Sequence, residues 1–347
     1  MKTAVVLFNL GGPDRLDAVR PFLHNLFKDP AILRVPVLLR WFLSWLIASR
    51  RAAEAKRIYA KIGGGSPLLA ETQKQAAALQ TDLSDTGGGQ YRVFIAMRYW
   101  HPFVADVAGE VAAYAPDQTV LLPLYPQFST TTTASAFREW YRQAGARNLT
   151  TPTFSICCYP VQGNWIACQA DLLSKTIDQS KCDLATLRIL FSAHGLPRRI
   201  VEGGDPYPDH VIQTAKATIA AVSKRYGSLD WVVCYQSRVG PLEWIGPSTE
   251  SEIERAGQEG KALVVVPISF VSEHSETLVE LDMDYRELAR RCGVVRYHRV
   301  PAAGTHPQLI EGLATMVGSA LQEATGVTSM PVGRTCDQAV AACPCRL

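Results

Sequence analysis

The chain has 347 residues, a formal net charge of +3, and 47% hydrophobic against 19% charged residues. That length favours two domains and that composition fills two cores, which excludes a disordered chain. So small a charge, with no Lys/Arg run interleaved with aromatics, excludes nucleic acid as a partner.

The amino terminus, Met1–Leu10, is too short an apolar run for a signal peptide and lacks a small-residue cleavage site before Gly11-Gly12-Pro13, so it reads as a first strand and points to the cytoplasm. Ala31–Ser49 is greasy, but Arg34, Pro36 and Arg40 interrupt it, and a span needs roughly twenty uninterrupted apolar residues. It is either an ordinary core helix or an interfacial one offering Trp41, Phe42, Trp45 and Leu46 to lipid. Gly63-Gly64-Gly65-Ser66-Pro67 either lets a flat or anionic ligand approach the backbone or is a turn with a proline helix start.

Apolar β runs are expected at Val5–Leu10, Val93–Met97, Val120–Leu124 and Thr153–Cys158, then at Arg188–Ala193, Trp231–Tyr235, Leu263–Ile268 and Val294–Arg299. Helical patterns at Ser66–Leu83, Val104–Tyr114, Ala134–Ala144, Trp165–Ile177, Asp209–Arg225 and Glu273–Arg291 alternate with them. This rhythm predicts an α/β fold of two similar Rossmann-like, doubly wound domains, each a parallel sheet flanked by helices. The expected divisions are 1–160, 161–325 and a Cys-rich tail, 326–347. Neither G-x-G-x-x-G opening a helix from a strand nor G-x-x-x-x-G-K-[ST] occurs, so no nucleotide cofactor is expected.

Two segments carry the chemistry. Phe191-Ser192-Ala193-His194-Gly195-Leu196-Pro197 ends a strand on a histidine, where an imidazole can accept protons near neutral pH or ligate a divalent metal. Ser272–Tyr285 follows another strand, with Glu276, Glu280 and Asp284 at i, i+4 and i+8 of an expected helix and Glu273 near the same stripe. Such a row is either a solvated acidic face or one screened by a bound cation, since Arg286 is the first cation along it. Nine cysteines without an export signal argue for free thiols or metal ligands. Cys336, Cys343 and Cys345 form C-x₆-C-x-C; zinc and an iron–sulfur cluster both take four ligands, so a fourth would come from the body of the chain.

The set Asn9–Pro13, Ile62–Pro67, Met97-Arg98-Tyr99, Leu122–Gln127, Phe191–Pro197, Gly204–Pro208, Cys234–Pro241 and Ser272–Asp284 resembles ferrochelatase nearly end to end and in the family's order. The resemblance implies a class II chelatase-like fold of two Rossmann-like domains with a porphyrin in a cleft between them. It also implies a lyase that forms metal–nitrogen bonds, inserting Fe²⁺ into a porphyrin, most directly protoporphyrin IX, and releasing two protons in the last step of haem synthesis. By that resemblance His194 accepts pyrrole protons, Glu276 is its partner at the iron, Glu280 and Asp284 line an acidic path, and His274 and Glu273 orient or relay. Leu10, Arg51, Tyr59, Ser66, Arg98, Tyr99, Tyr125, Tyr207 and Trp244 match motifs near the porphyrin. Ala31–Ser49 coincides with the family's hydrophobic lip, which turns the expectation towards peripheral association with the inner face of the membrane. Some members bind a [2Fe–2S] cluster, which here implies Cys168 with Cys336, Cys343 and Cys345. A homodimer is a further expectation. Coproporphyrin as substrate, an iron–sulfur electron-transfer protein, and a nicotinamide or flavin oxidoreductase are the competing readings. The second of these leaves His194 and Glu276 without a purpose, and the third requires a bound cofactor.

Overall fold

The computed structural model describes residues 1–86, 88–238, 240, 242–322 and 326–330. In chain order its strands are β1 (Lys2–Asn9), β2 (Gln90–Met97), β3 (Gln118–Pro123), β4 (Thr153–Ile156), β5 (Leu187–His194), β6 (Asp230–Gln236), β7 (Ala262–Pro267), β8 (Tyr297–Arg299) and β9 (Val327–Thr328). They form two sheets, each within its own compact unit, and every pairing is parallel.

The first unit holds Met1–Cys158 and takes back the described residues of 313–330. Its sheet runs β2-β1-β3-β4-β9. Parallel neighbours need crossovers, and helices over the sheet bury both faces of each strand, which is why Ala4–Phe8 of β1 is apolar without alternation. On one face Ala4, Val6 and Phe8 pack with Val107 and Val111 of helix Val104–Tyr114 and with Phe137 and Trp140 of helix Thr133–Ala146. The return of the chain to pair Val327 and Thr328 beside β4 is not legible in the sequence, where 326 onward reads as tail.

The second unit covers Tyr159–Gly312. Its sheet runs β6-β5-β7-β8, so the chain leaves the central strand β5 for one neighbour and later lays β7 on the other side. That reversal is the topological switch point of a doubly wound sheet, where ligands bind beyond the carboxyl ends of the strands. Ile189 and Phe191 of β5 face a core with Val211, Val264 and Val266, while Leu190 faces one with Ile253, Val265 and Leu281.

Two helices depart from expectation. The greasy segment becomes helix Val37–Ala60, which buries a stripe of Ser44, Ala48, Ala52 and Tyr59 and leaves Val37, Leu38, Trp41, Phe42 and Trp45 exposed, Leu38 at 87%. Arg40 folds back, donating to the carbonyls of Leu33 and Val35 at 3.0 and 2.7 Å. A stripe of small residues suffices for close packing on helix Val19–Lys28, so the large apolar side chains fall on the other side. The acidic segment is a π-helix over Glu276–Asp284 that continues as the α-helix Tyr285–Arg291. Tyr285 N–H bonds the carbonyl of Glu280, five residues back, and π turns of this kind cluster at functional sites. The α-helix read from the sequence therefore does not hold here, and the acids differ in exposure, with Glu276 and Glu280 half-buried and Asp284 exposed. No helix among the described residues is long and apolar enough to cross a membrane.

Candidate active site

His194 is the last residue of β5, at the switch point, with 40% of its side chain exposed. Its Nδ1 lies 2.6 Å from the Gly195 carbonyl oxygen. A carbonyl can only accept, so Nδ1 carries the hydrogen of the neutral ring and Nε2 keeps its lone pair. Nε2 is 3.9 Å from Glu276 Oε1. Gly195 is itself fixed, donating its N–H to the carbonyl of Gln236 at 2.9 Å.

His274 approaches the same carboxylate. Its Nδ1 lies 3.4 Å from Thr277 N and 3.3 Å from the Thr277 hydroxyl oxygen, and its Nε2 is 3.9 Å from Glu276 Oε2. Burial holds the pKa of His274 below the ordinary histidine range, so the ring stays neutral. Glu276 thus stands between two imidazole rings, one of which presents a nitrogen that can accept a proton. His274 Nε2 and Glu276 Oε2 are both buried without a hydrogen-bond partner, which is unusual enough to mark a working site.

The remaining acids divide. Glu273 accepts from Arg299 Nη1 at 2.8 Å, Ala302 N–H at 2.9 Å and the Thr277 hydroxyl, and Arg299 also holds Asp282 at 2.7 Å. Arg299 comes from β8 and screens the acidic segment together with Arg286, which pairs with Asp282 at 2.9 Å; nothing in the local sequence announced Arg299, because it is a neighbour in space only. Glu280 accepts from Ser237 N–H at 2.8 Å, the Ser237 hydroxyl, Gln236 Nε2 at 3.4 Å and the Tyr285 hydroxyl at 2.9 Å. Burial, then the nearby charge of Glu276, pushes its pKa up. Tyr207 is buried, donates to Ser269 Oγ at 2.9 Å and lies within electrostatic reach of Glu276. Trp244 is half-buried, bridged to Pro197 just beyond His194. Among the described residues no group of three or more His, Cys, Asp or Glu side chains is arranged to hold a metal ion.

In the first unit, Leu10 follows β1 and Tyr125 lies just beyond β3, again at a switch point. Leu10, Tyr59 and Tyr99 share one apolar cluster, and Arg51 is half-buried. Ser66 caps helix Leu68–Thr86, accepting from Leu68 N–H at 3.3 Å. A Cβ on Gly12 would stand 2.5 Å from Ser66 Oγ, and one on Gly65 2.5 Å from the Asp14 carbonyl oxygen. What approaches these glycines is therefore the chain itself. Arg98 and Tyr99 both bind Asp29, at 2.8 and 2.9 Å, and Arg98 also donates to Ser135 Oγ at 2.9 Å. Tyr99 is 1% exposed. These two read from sequence as porphyrin contacts, but their polar atoms are engaged by a buried aspartate.

Cys168, on helix Gly163–Ser180, is fully buried, and burial pushes its thiol up to about 12. Cys336, Cys343 and Cys345 lie outside the described residues.

Another buried group gives a pH test. His210 on helix Tyr207–Tyr226 has no exposed surface, and burial lowers its pKa from 6.5 to about 4. Below pH 6.5 the unfolded chain takes up a proton that the fold refuses until about pH 4, so the unfolded state binds more protons across that window and acid favours it. Stability is expected to fall by about 3 kcal/mol across it from this group alone. Denaturant titrations of the wild type and His210→Gln at several pH values check this: the variant should lose the corresponding part of the slope.

A model of the ferrochelatase family matches residues 2–321. The chain is 51% identical to the ferrochelatase of Caulobacter vibrioides (strain NA1000 / CB15N) over 346 residues, 99% of this chain and 98% of that one. It is 48% identical to the ferrochelatase of Phenylobacterium zucineum, over 100% of this chain and 98% of that one. A solved structure of SirB from Bacillus subtilis with Fe³⁺ superposes with a TM-score of 0.54 over 92% of this chain and 96% of that one, at 11% identity, which bears on the fold alone. With a histidine and a glutamate facing each other beyond the central strand of a chelatase-like sheet, and with relatives this similar along the whole chain, the protein belongs to the ferrochelatase family.

Proposed function

We propose that the chain inserts Fe²⁺ into a porphyrin, most directly protoporphyrin IX, with His194 as the base that removes the two pyrrole protons. The observation that carries this reading is the His194 tautomer: Nδ1–H is tied to the Gly195 carbonyl, which leaves the Nε2 lone pair facing Glu276. Free porphyrin has inner N–H groups in the way of the metal, so binding has to distort the ring until its nitrogens point outward. The two protons move one after the other to His194 Nε2; each imidazolium is stabilised by the carboxylate 3.9 Å away and gives up its proton to that carboxylate, and on to solvent, before the next arrives. Glu276 is the iron-facing partner of His194, His274 flanks it with Nε2 3.9 Å from the carboxylate and orients or relays, and Glu273, held by Arg299, positions the turn that carries both. Glu280 continues the acidic path inward, and exposed Asp284 is its outer end.

Family resemblance assigns porphyrin contacts to Leu10, Arg51, Tyr59, Ser66 and Tyr125, and likewise to Tyr207 and Trp244. Arg51 offers a planar guanidinium for a propionate, and Arg98 and Tyr99 belong to the same set by family resemblance, with their polar atoms engaged by Asp29. The exposed Val37, Leu38, Trp41, Phe42 and Trp45 fit a peripheral membrane surface, from which a greasy porphyrin arrives, and favour protoporphyrin over coproporphyrin. Cys168 is read with Cys336, Cys343 and Cys345 as the ligand set of a [2Fe–2S] cluster that pins the carboxyl terminus to the body of the protein. Cys168 would have to lose its thiol proton to hold the cluster, a loss that the positive charge of bound iron would favour against the burial that raises its pKa.

Metal-insertion assays with both porphyrins, with a visible spectrum of anaerobically purified protein, test these assignments. Faster turnover of protoporphyrin and an iron–sulfur absorbance are expected. A preference for coproporphyrin overturns the substrate assignment, and a colourless preparation containing zinc overturns the cluster.

A further inference from the structure

One buried hydroxyl holds His274 from behind. Thr277, next to Glu276 in the first turn of the π-helix, is 0% exposed. Its Oγ1 accepts the backbone N–H of His274 at 3.0 Å and lies 3.3 Å from the ring Nδ1, and its own backbone N is 3.4 Å from the same Nδ1. Two atoms of one residue thus meet one edge of the ring, while Phe270 covers a face, with ring centroids 4.4 Å apart. Held in this way, the ring keeps Nε2 3.9 Å from Glu276 Oε2, where it is buried without a hydrogen-bond partner.

That grip depends on the anchor of the hydroxyl. A hydroxyl has a single hydrogen. Thr277 Oγ1 reaches two acceptors, the His274 carbonyl at 3.1 Å and, closer, Glu273 Oε2, which as a carboxylate is the stronger of the two. With the hydrogen directed at Glu273, the lone pairs of the oxygen are left for His274. Glu273 is itself fixed, because Arg299 Nη1 and the Ala302 N–H donate to its other oxygen at 2.8 and 2.9 Å. Arg299 has 10% of its side chain exposed, and its Nε and Nη2 both donate to Asp282 Oδ2, at 2.8 and 2.7 Å. One guanidinium therefore grips an acid just before the π-helix and another within it, a fork that a lysine ammonium does not offer.

We propose that Thr277 is a positioning residue for metal insertion: anchored through Glu273 to Arg299, its hydroxyl fixes the His274 ring and with it the Nε2 that faces Glu276. The proposal rests on the reading of His274 and Glu276 as part of the site. Thr277 is fully buried, so it acts through His274 rather than on porphyrin or iron, and it passes no proton. Its effect is on geometry, and a site group misplaced by about 1 Å loses on the order of 10²-fold in rate.

Thr277→Val keeps the branched shape and removes the hydroxyl, while Thr277→Ser keeps the hydroxyl and removes the methyl. In the full chain, with folding checked by circular dichroism, Thr277→Val is expected to lower kcat about 10- to 100-fold with porphyrin KM unchanged. Thr277→Ser is expected to recover most of that loss. Arg299→Lys, which keeps the charge and loses the fork, is expected to slow turnover in the same way as Thr277→Val. Nitrogen NMR of protein carrying isotope-labelled histidine gives a readout independent of turnover. The ring resonances that disappear in His274→Gln are expected to shift in Thr277→Val and to stay near their wild-type positions in Thr277→Ser. A threonine that only packs would lower the melting temperature on replacement by valine and leave kcat and these resonances in place. Wild-type kcat in folded Thr277→Val or Arg299→Lys, a Thr277→Ser variant as slow as Thr277→Val, or unmoved His274 resonances in Thr277→Val overturns the proposal. Should the wild type itself fail to metallate porphyrin, the functional reading falls while the ring resonances still test what holds His274.

Discussion

Replacing His194 with alanine is expected to lower the rate of metal insertion about 10²- to 10⁴-fold, the usual contribution of a positioned base. The fold should be indifferent to the change. The side chain is 40% exposed, and its one bond, from Nδ1 to Gly195 O, is local, so water entering the space the ring vacates can satisfy that oxygen. Porphyrin should still bind, because the rim residues assigned above are elsewhere. The expected outcome is thus a folded protein that takes up porphyrin, followed by its visible spectrum, and leaves it metal-free. A histidine held there only for structure would give the opposite pattern, with a lowered melting temperature and near-normal turnover.

The largest stability effect is expected at Arg98. Asp29 has 1% of its side chain exposed and accepts from Arg98 Nη2, Tyr99 OH, Ser135 Oγ and the Ala31 N–H. Arg98→Met removes the only positive partner among these and leaves a buried charge behind, at a cost of about 3–5 kcal/mol. The double variant with Asp29→Asn should recover much of that loss, since the penalty belongs to the stranded carboxylate rather than to the missing arginine. Urea unfolding measures both. A loss below about 1 kcal/mol, typical of an exposed pair, would contradict the buried ion pair. A role for Arg98 at the porphyrin rim alone would change KM and leave the urea midpoint in place.

The strands were legible because a parallel sheet covered on both faces demands continuous apolar runs, and Val5–Leu10 and Arg188–Ala193 are such runs. Helix Val104–Tyr114 falls where its periodicity put it. His194 was legible for a related reason: a polar residue that ends a central buried strand has little to do except face a crevice. What stayed hidden is non-local. Arg299 is 26 residues from the Glu273 it clamps, and Val327 and Thr328 carry too little apolar length to announce a strand. The π-helix was hidden too, because i, i+4 spacing of acids fits an α-helix equally well.

The account stands or falls on His194 and Glu276 working as one unit, and a double-mutant cycle on kcat with His194→Ala, Glu276→Gln and the pair measures this most directly. Groups that share one proton transfer are strongly non-additive, so the double variant should be little slower than the slower single variant. A double variant whose loss equals the product of the two single losses would mean that the two residues act independently, and would contradict the shared site.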